Sequence, residues 1–315
     1  MSIQGKKIAV LKGGPGSERE VSMASAASVV EALGERGAEV SEVDVQGADF
    51  EIAEGTDLAF NVIHGTFGED GQLQKELNRR GIPYTGAGAR SSETAFDKVL
   101  SKKRFIEHTV PTPFFEIVVI GGDKVPSIQM ELPVVVKPPK EGSSVGVSIV
   151  KEEGQLAAAF EESAKYDQVA MVEEFVDGKE LTVGILDGKA LPIVHISPQD
   201  GFYDIKNKYP WMTGEGKTDY VCPADLDEET TGKIQEAALA AHKALGIEIY
   251  SRVDVLLGDD GRIAVLEVNT IPGMTSSSLL PKAAKAVGMD FPELCERICL
   301  LSMALRKRPQ VGDNQ

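Results

Sequence analysis

The sequence predicts an α/β protein with two kinds of sheet, a parallel one first and mixed or antiparallel ones after it. Two observations carry that prediction. Over the first ~90 residues, apolar strand-like runs alternate with helix-like stretches, the rhythm of parallel strands joined by helical crossovers. After the prolines at 111 and 113, strand-like runs follow one another through short Gly- and Asp-rich turns, as hairpins do.

In chain order, KKIAVLKGG reads as a strand closed by a glycine turn, and EVSMASAASVVEALGERG as a helix stopped at Gly37. AEVSEVDV and DLAFNVIHG are the next strands. QLQKELNRRG is a helix, followed by IPYTGAG. SSETAFDKVLSKKRFIEHT reads as one helix, ended by VPTPFFEIVVI. LPVVVKPP, VGVSIVK, VAMVEEFV, KELTVGILDGKALPIVHI and the pair RVDVLL…IAVLEV read as strands. Residues 202–220, FYDIKNKYPWMTGEGKTDY, have no period and read as a long loop, a lid or a mobile insertion. The lysines at 206, 208 and 217 and the tyrosines at 203 and 209 favour the lid. The stretch from SSSLLPKAAKAV to LLSMALRKR is helical, and the tail RPQVGDNQ is expected to fray.

A chain of 315 residues has room for two or three lobes. Its net charge of −16 repels phosphate backbones and anionic membranes, which argues against a general nucleic-acid binder but not against a local basic pocket. No run approaches the ~18 apolar residues of a membrane span, and the N-terminus lacks the pattern of a signal peptide. The cysteines Cys222, Cys295 and Cys299 are odd in number and sparse, which suggests reduced thiols in a cytoplasm. Cys295 and Cys299 stand one helical turn apart and read as buried apolar side chains.

RVDVLLGDDGRIAVLEVN, residues 252–269, places carboxylates inside apolar strands. Glu267 and Asn269 share a face because alternate strand residues do. A two-residue turn at Asp259 and Asp260 sets residue 254 opposite 265, so that Asp254 joins them. A three-residue loop would turn Asp254 away. Three oxygen donors on one face suit a hard cation such as Mg²⁺; the plainer alternative is the solvated side of a hairpin. In PVVVKPPKEGSSVGVSIV, residues 133–150, a strand delivers Lys137 to a loop of small residues, either a phosphate grip or an ordinary hairpin turn. It is not a GxxxxGK[ST] loop. GGPGSERE, residues 13–20, follows the first strand, but Arg19 stands where a dinucleotide fingerprint needs its third glycine. A helix start there still favours an anionic group. His64, in HGTFGEDGQLQ, is a structural hydrogen-bonder or a substrate contact. MVEEFVDGKELTV, residues 171–183, is a solvated acidic face or, beside a nucleotide, a strand edge that meets adenine, with Glu180 accepting from ribose hydroxyls.

Taken in order, GGPGSEREVSMASA, HGTFGEDGQLQ, YTGAGARSSETAFDK, VVVKPPKEGSSVGVS, FYDIKNKY, RVDVLL and LEVNTIPGMTSSSLLP closely resemble the D-alanine–D-alanine ligases of the ATP-grasp superfamily, from about residue 7 to 305. The resemblance implies an α/β ATP-grasp fold: an N-terminal Rossmann-like lobe over 1–95, a central lobe over 96–180 and a C-terminal lobe over 181–315, the last two clasping ATP. It implies that Lys98 and Lys137 contact ATP phosphates under a loop of Glu141, Gly142, Ser143, Ser144 and Val145. Glu173, Phe175 and Val176 would line the adenine pocket, with Glu180 on the ribose. Asp254, Glu267 and Asn269 would hold two Mg²⁺ ions, for which Mn²⁺ can substitute. Glu18 would grip the ammonium of the first D-alanine, with His64 near its carboxylate. Arg252 and the backbone at Gly273 would form an oxyanion site, and Ser278 and Leu279 would meet the second D-alanine. Ser143 and Tyr209 would link to Glu18 and close the lid beside Lys208. The implied activity is ATP-dependent joining of two D-alanines through an acyl phosphate, for peptidoglycan precursors. A D-alanine–D-lactate or D-alanine–D-serine ligase, or another ATP-grasp carboxylate–amine ligase, is the alternative. The same resemblance implies a cytoplasmic homodimer joined through the N-terminal lobe, acting on small molecules and not on nucleic acid or membrane.

Overall fold

The computed structural model describes residues 2–121, 125–199, 205–208 and 217–306. The expected fraying of the tail from residue 308 lies outside them.

Strand β1 (Lys7–Gly13) is buried over most of its length and pairs in parallel with β2 (Glu39–Val45) and β3 (Leu58–Asn61). Helix α1 (Arg19–Glu35) makes the crossover from β1 to β2. Its inward residues Val21, Ser22, Ser25, Ala26, Val29, Ala32 and Leu33 recur at three- and four-residue spacing and are mostly small, so the helix lies close against the sheet. Gly37 takes φ 78° just past the helix, as its stop signal predicts. Helix α2 (Gln72–Arg79) follows β3.

The stretch expected to form one helix at 91–109 is two. Helix α3 (Ala89–Phe96) stops at Asp97, whose ψ of 104° leaves the helical region, and α4 (Lys98–Glu107) starts at the next residue. The Asp97 side chain accepts from the amides of Val99 and Leu100, an N-cap inside an apparently continuous helical pattern. The break sets Lys98 and Lys102 on the first turns of a new helix.

The second sheet runs β4 (Phe115–Val119), β7 (Val169–Glu174), β5 (Val134–Lys137), β6 (Ser148–Val150), all antiparallel. Val118, Val134, Val136, Ala170 and Val172 point to helix α5 (Leu156–Ala164), and the other face carries Val135, Lys137 and Glu173.

The third sheet orders β11 (Thr218–Val221), β10 (Val194–Pro198), β8 (Gly178–Leu186), β12 (Tyr250–Gly258) and β13 (Ile263–Asn269), with β9 (Lys189–Ala190) on β8. The hairpin from Leu186 to Lys189 turns on Asp187 and Gly188, both at positive φ, as a tight Asp-Gly turn requires. Residues 205–208, expected in a loop, form a helical turn, α6 (Ile205–Lys208), and Thr218–Tyr220 belong to β11 rather than to a loop. Helix α7 (Glu228–Ala244) covers one face of the sheet, burying Ile234, Ala238 and Ala241 on Leu181, Val183, Val253, Val255 and Val265. Helices α8 (Leu279–Ala286) and α9 (Phe291–Leu305) close the chain.

One apolar core joins the first sheet to the third. Ile8, Val10 and Phe60 share it with Val194, Ile196, Tyr250, Leu280 and Ile298, and Cys295 and Cys299 are buried in it. Gly184 lets the join pack closely: a Cβ there would stand 2.7 Å from Leu280 Cδ1 and push that side chain aside. The loops after β1 and β3 are therefore held against the loop after β13.

Candidate active site

The β12–β13 hairpin builds the floor of the site, by a route other than the expected one. Gly258 donates to Arg262 O at 2.8 Å, so Asp259, Asp260 and Gly261 form a three-residue loop. That loop alone would turn Asp254 away from Glu267. The register then shifts between Asp254 and Val255, and Leu266 is the extra residue: Val255 faces Val265, whereas Asp254 faces Glu267 and Arg252 faces Asn269. The bulge restores the shared face. Val265 and Val268 both reach the core beneath α7, three positions apart, for the same reason.

Asp254 receives bonds from Thr182 Oγ1 (2.6 Å), Arg252 Nε (2.9 Å), Arg252 Nη2 (2.7 Å) and Asn269 Nδ2 (3.0 Å). Glu267 meets Lys98 Nζ at 3.0 Å. Burial opposes charge on Glu267, but Lys98, Lys208 and Lys137 outweigh it and carry the carboxyl down to about 2. Among the described residues no cluster of three or more His, Cys, Asp or Glu side chains could cage a metal. A cation here would rest on two carboxylates and the Asn269 amide, an oxygen set of the size Mg²⁺ takes from protein. It would compete with Arg252 and Lys98 for those oxygens.

A cavity of about 610 Å³ lies between the second and third sheets. Lys98, Lys137, Glu141, Ser144 and Val145 line it, as do Glu173, Phe175, Val176 and Glu180. Asp254 and Glu267 lie on its floor. Lys98 Nζ donates to Glu141 O at 2.6 Å, and the Lys98 amide to Pro139 O at 2.9 Å, so α4 holds the loop from below. Lys137 Nζ lies 2.5 Å from Glu173 Oε2. Burial, with Asp254 and Glu267 nearby, pushes Glu180 up to about 7, against Lys208 and Arg252.

A second cavity of about 270 Å³ adjoins the first, with Lys208 and Glu267 on the wall of both. Glu18, His64, Arg252, Asn269, Gly273, Ser278 and Leu279 line it. Gly142 and Ser143, expected over the nucleotide, line this smaller cavity instead. The reason is a bond: Ser143 Oγ donates to Glu18 Oε1, which draws the loop tip toward α1. A Cβ on Gly142 would stand 2.8 Å from Glu18 Oε2, so a side chain there would displace the Glu18 carboxylate. Lys208 Nζ is 3.3 Å from Ser144 Oγ, so the turn at 205–208 reaches the same loop. Tyr209 lies outside the described residues.

His64 Nδ1 donates to Ile271 O at 2.8 Å, and its Nε2 faces Ser25 Oγ at 3.3 Å. A carbonyl only accepts, so the proton is on Nδ1. Burial holds the ring below its usual range, and it is neutral at pH 7. Ser278 takes the N-cap position of α8 without a side-chain bond to the helix; its Oγ accepts instead from Thr275 N at 3.1 Å.

Several residues of the site carry no mark in the sequence strong enough to single them out. Glu69 accepts from Gly65 N (2.8 Å) and Ile271 N (3.1 Å), stapling the loop after β3 to the loop after β13. Burial and Glu18 push it up to about 8, against those amides and Arg252. Its place among the turn residues of HGTFGEDG looks solvated until Ile271 is brought alongside. Thr182 gains its role from pairing opposite Asp254. Lys102 carries a faint signal, one helical turn after Lys98.

Two antiparallel sheets closing over a lysine-lined cavity, with an acidic floor shared with a smaller polar cavity, define an ATP-grasp protein of the carboxylate–amine ligase class. The comparisons with known proteins agree. Residues 44–87 match the family described as D-ala D-ala ligase N-terminus, and residues 123–300 the one described as D-ala D-ala ligase C-terminus. A D-alanine–D-alanine ligase of Methylacidiphilum infernorum is 50% identical over 94% of this chain and 95% of its own length. One of Syntrophotalea carbinolica is 46% identical over 97% and 98%. The crystal structure of the Bacillus anthracis D-alanine–D-alanine ligase complexed with ATP matches with TM-score 0.82 and 31% identity, over 96% of this chain and 99% of that one. The VanG D-Ala:D-Ser ligase of Enterococcus faecalis matches with TM-score 0.82 and 28% identity, over 95% and 100%. This chain belongs to the D-alanine–D-alanine ligase family.

Proposed function

We propose that this enzyme joins two D-alanine molecules at the expense of ATP, releasing ADP and phosphate. The observation that carries the reading is the meeting of the two cavities at Glu267 and Lys208, which lets a triphosphate end where an amino-acid carboxylate begins.

A carboxylate does not react with an amine, because its leaving group would be oxide. Transfer of the γ-phosphoryl group to the first D-alanine makes an acyl phosphate, which has a good leaving group. Lys98 and Lys137 offset the charge that gathers on the phosphates, with the 141–145 loop above them. Glu18 holds the ammonium of the first D-alanine, and neutral His64 stands by its carboxylate without adding charge. The amine of the second D-alanine, set by Ser278 and Leu279, attacks the acyl carbon, and the tetrahedral intermediate expels phosphate. Arg252 and the Gly273 amide stabilise the oxyanion, each such donor being worth roughly 3–4 kcal/mol. Lys208, which reaches Ser144 of the same loop, closes the site beside Ser143 and Glu18, keeping water from the acyl phosphate.

Asp254, Glu267 and Asn269 suit two Mg²⁺ ions, or Mn²⁺ in their place. Bound there, the ions would neutralise phosphate charge and orient the γ-phosphoryl group. The three-lobe division at residues 95 and 180, a homodimer through the N-terminal lobe, a cytoplasmic location and a place in peptidoglycan precursor synthesis complete the proposal. They rest on the family resemblance.

The D-Ala:D-Ser ligase matches the fold as well as the D-alanine–D-alanine ligase does, so fold likeness does not choose the second substrate. The named relatives at 50% and 46% identity support the dipeptide. The test is competition: D-alanine against D-lactate and D-serine at neutral pH, with ADP release and product mass read together. Alanyl-alanine should dominate; a depsipeptide or a serine-containing product in excess would overturn the choice.

A further inference from the structure

Lys102 has no place in the chemistry above, yet its ammonium is completely buried beside the nucleotide cavity. It contacts Glu173 Oε1, while Lys137 holds Oε2 of the same carboxylate at 2.5 Å. Lys102 Nζ also donates to Thr112 Oγ1 at 2.8 Å, and that hydroxyl donates to Val265 O at 2.8 Å, beside the bulge of β13. Both Glu173 and Lys137 line the larger cavity, whereas Lys102 lies behind them. Burial draws Lys102 down to about 8 against the pull of Glu173, so it is still a cation at neutral pH.

The two lysines are therefore not equivalent. Lys137 can turn to a phosphate when the nucleotide enters. Lys102 cannot, and it remains as the counterion of Glu173. A carboxylate so held only accepts hydrogen bonds. Facing a purine, it favours an exocyclic 6-amino group, which donates, and opposes a 6-oxo group, which also only accepts. A protonated carboxyl would lose that preference, because it can donate.

We propose that Lys102 is a positioning residue for base selection: from behind the cavity it keeps Glu173 an acceptor while Lys137 serves the phosphates, and so sets the preference for a 6-amino over a 6-oxo purine triphosphate. Thr112 aims its ammonium by taking one of its remaining donors. The inference rests on the proposed ATP-dependent ligation, with Glu173 at the base end of the cavity.

The experiment compares kcat/KM for ATP and for GTP with saturating D-alanine, in the wild type, Lys102→Met, Glu173→Gln, the double variant and Thr112→Val. In Lys102→Met the ATP:GTP ratio should fall at least tenfold, mostly through the KM for ATP, with kcat at saturating ATP within about threefold of wild type. In the Glu173→Gln background, Lys102→Met should add little further loss of selectivity, because it acts through that carboxylate. Thr112→Val should lower the ratio a few-fold. A wild-type ratio in Lys102→Met, or a loss fully additive with that of Glu173→Gln, would overturn the proposal. If Lys102→Met does not fold, Thr112→Val decides, and an unchanged ratio there overturns it. A wild-type enzyme that does not turn over ATP with D-alanine would instead overturn the functional reading beneath it.

Discussion

Glu267→Gln separates the electrostatic work of this side chain from its shape. The carboxylate lies 3.0 Å from Lys98 Nζ and is carried from an ordinary 4.5 to about 2 by the lysines around it. At roughly 1.4 kcal/mol per pH unit, that is on the order of 3 kcal/mol in favour of the charged form over a neutral isostere. The side chain is 25% exposed, so solvent screening trims the figure to about 1–3 kcal/mol. The folded-state value is depressed, so this stability is present above pH 4.5 and is lost as pH falls through about 2. Urea unfolding of the metal-free protein at pH 7 should show Glu267→Gln destabilised by that amount yet still cooperative. Turnover should fall further, by at least about a hundredfold, because the proposed divalent ion would lose one of its two carboxylates. Turnover within threefold of wild type would refute the assignment of Glu267 to the metal and phosphate site. Normal stability with normal turnover would refute the electrostatics as well.

Chelation of divalent cations should abolish ADP release while far-UV circular dichroism stays unchanged, since the carboxylates suited to the ion line the larger cavity and not the apolar cores; unfolding on chelation would contradict this. Glu69→Gln should flatten the stability profile. The raised value of about 8 means the folded state holds a proton that the unfolded chain has released, so stability falls between pH 4.5 and 8 in the wild type, and denaturant melts across that range should show the slope lost in the variant. Glu18→Gln should raise the KM for D-alanine at least tenfold and leave that for ATP nearly unchanged, because Glu18 lines only the smaller of the two substrate cavities; parallel rises in both would count against the division of labour. Arg252→Lys should lower kcat by about 10²–10³, as loss of an oxyanion donor does, and a steady-state assay showing wild-type kcat would remove Arg252 from that role.

Much of the fold was legible in the sequence because it is written in local periodicity. The small-residue face of α1, the apolar runs of β1, β5 and β13 and the Asp-Gly turn at 187–188 each report what the chain does over a few residues. The type of chemistry was legible for a similar reason. Lys137 before a run of small residues, and Asp254 and Glu267 within apolar strands, are choices that a plain core would not make. The sequence alone therefore determined the order of the elements and the reagents they carry.

The tertiary structure decided how those reagents meet. The cap at Asp97 overturns the single-helix reading, whereas the bulge at Leu266 keeps the expected shared face of Asp254 and Glu267 although the turn has three residues and not two. The first breaks a helix and the second turns Asp254 back toward Glu267. Glu69 and Lys102 are charged residues of ordinary context until distant segments close over them: Ile271 is 202 positions from Glu69, and Val265 is 153 from Thr112. Burial, register and the charge a side chain carries are sums over such non-local neighbours. No window of the chain contains those neighbours, so only the folded molecule sets the protonation of Glu69, the partner of Glu173 and the wall that the two cavities share.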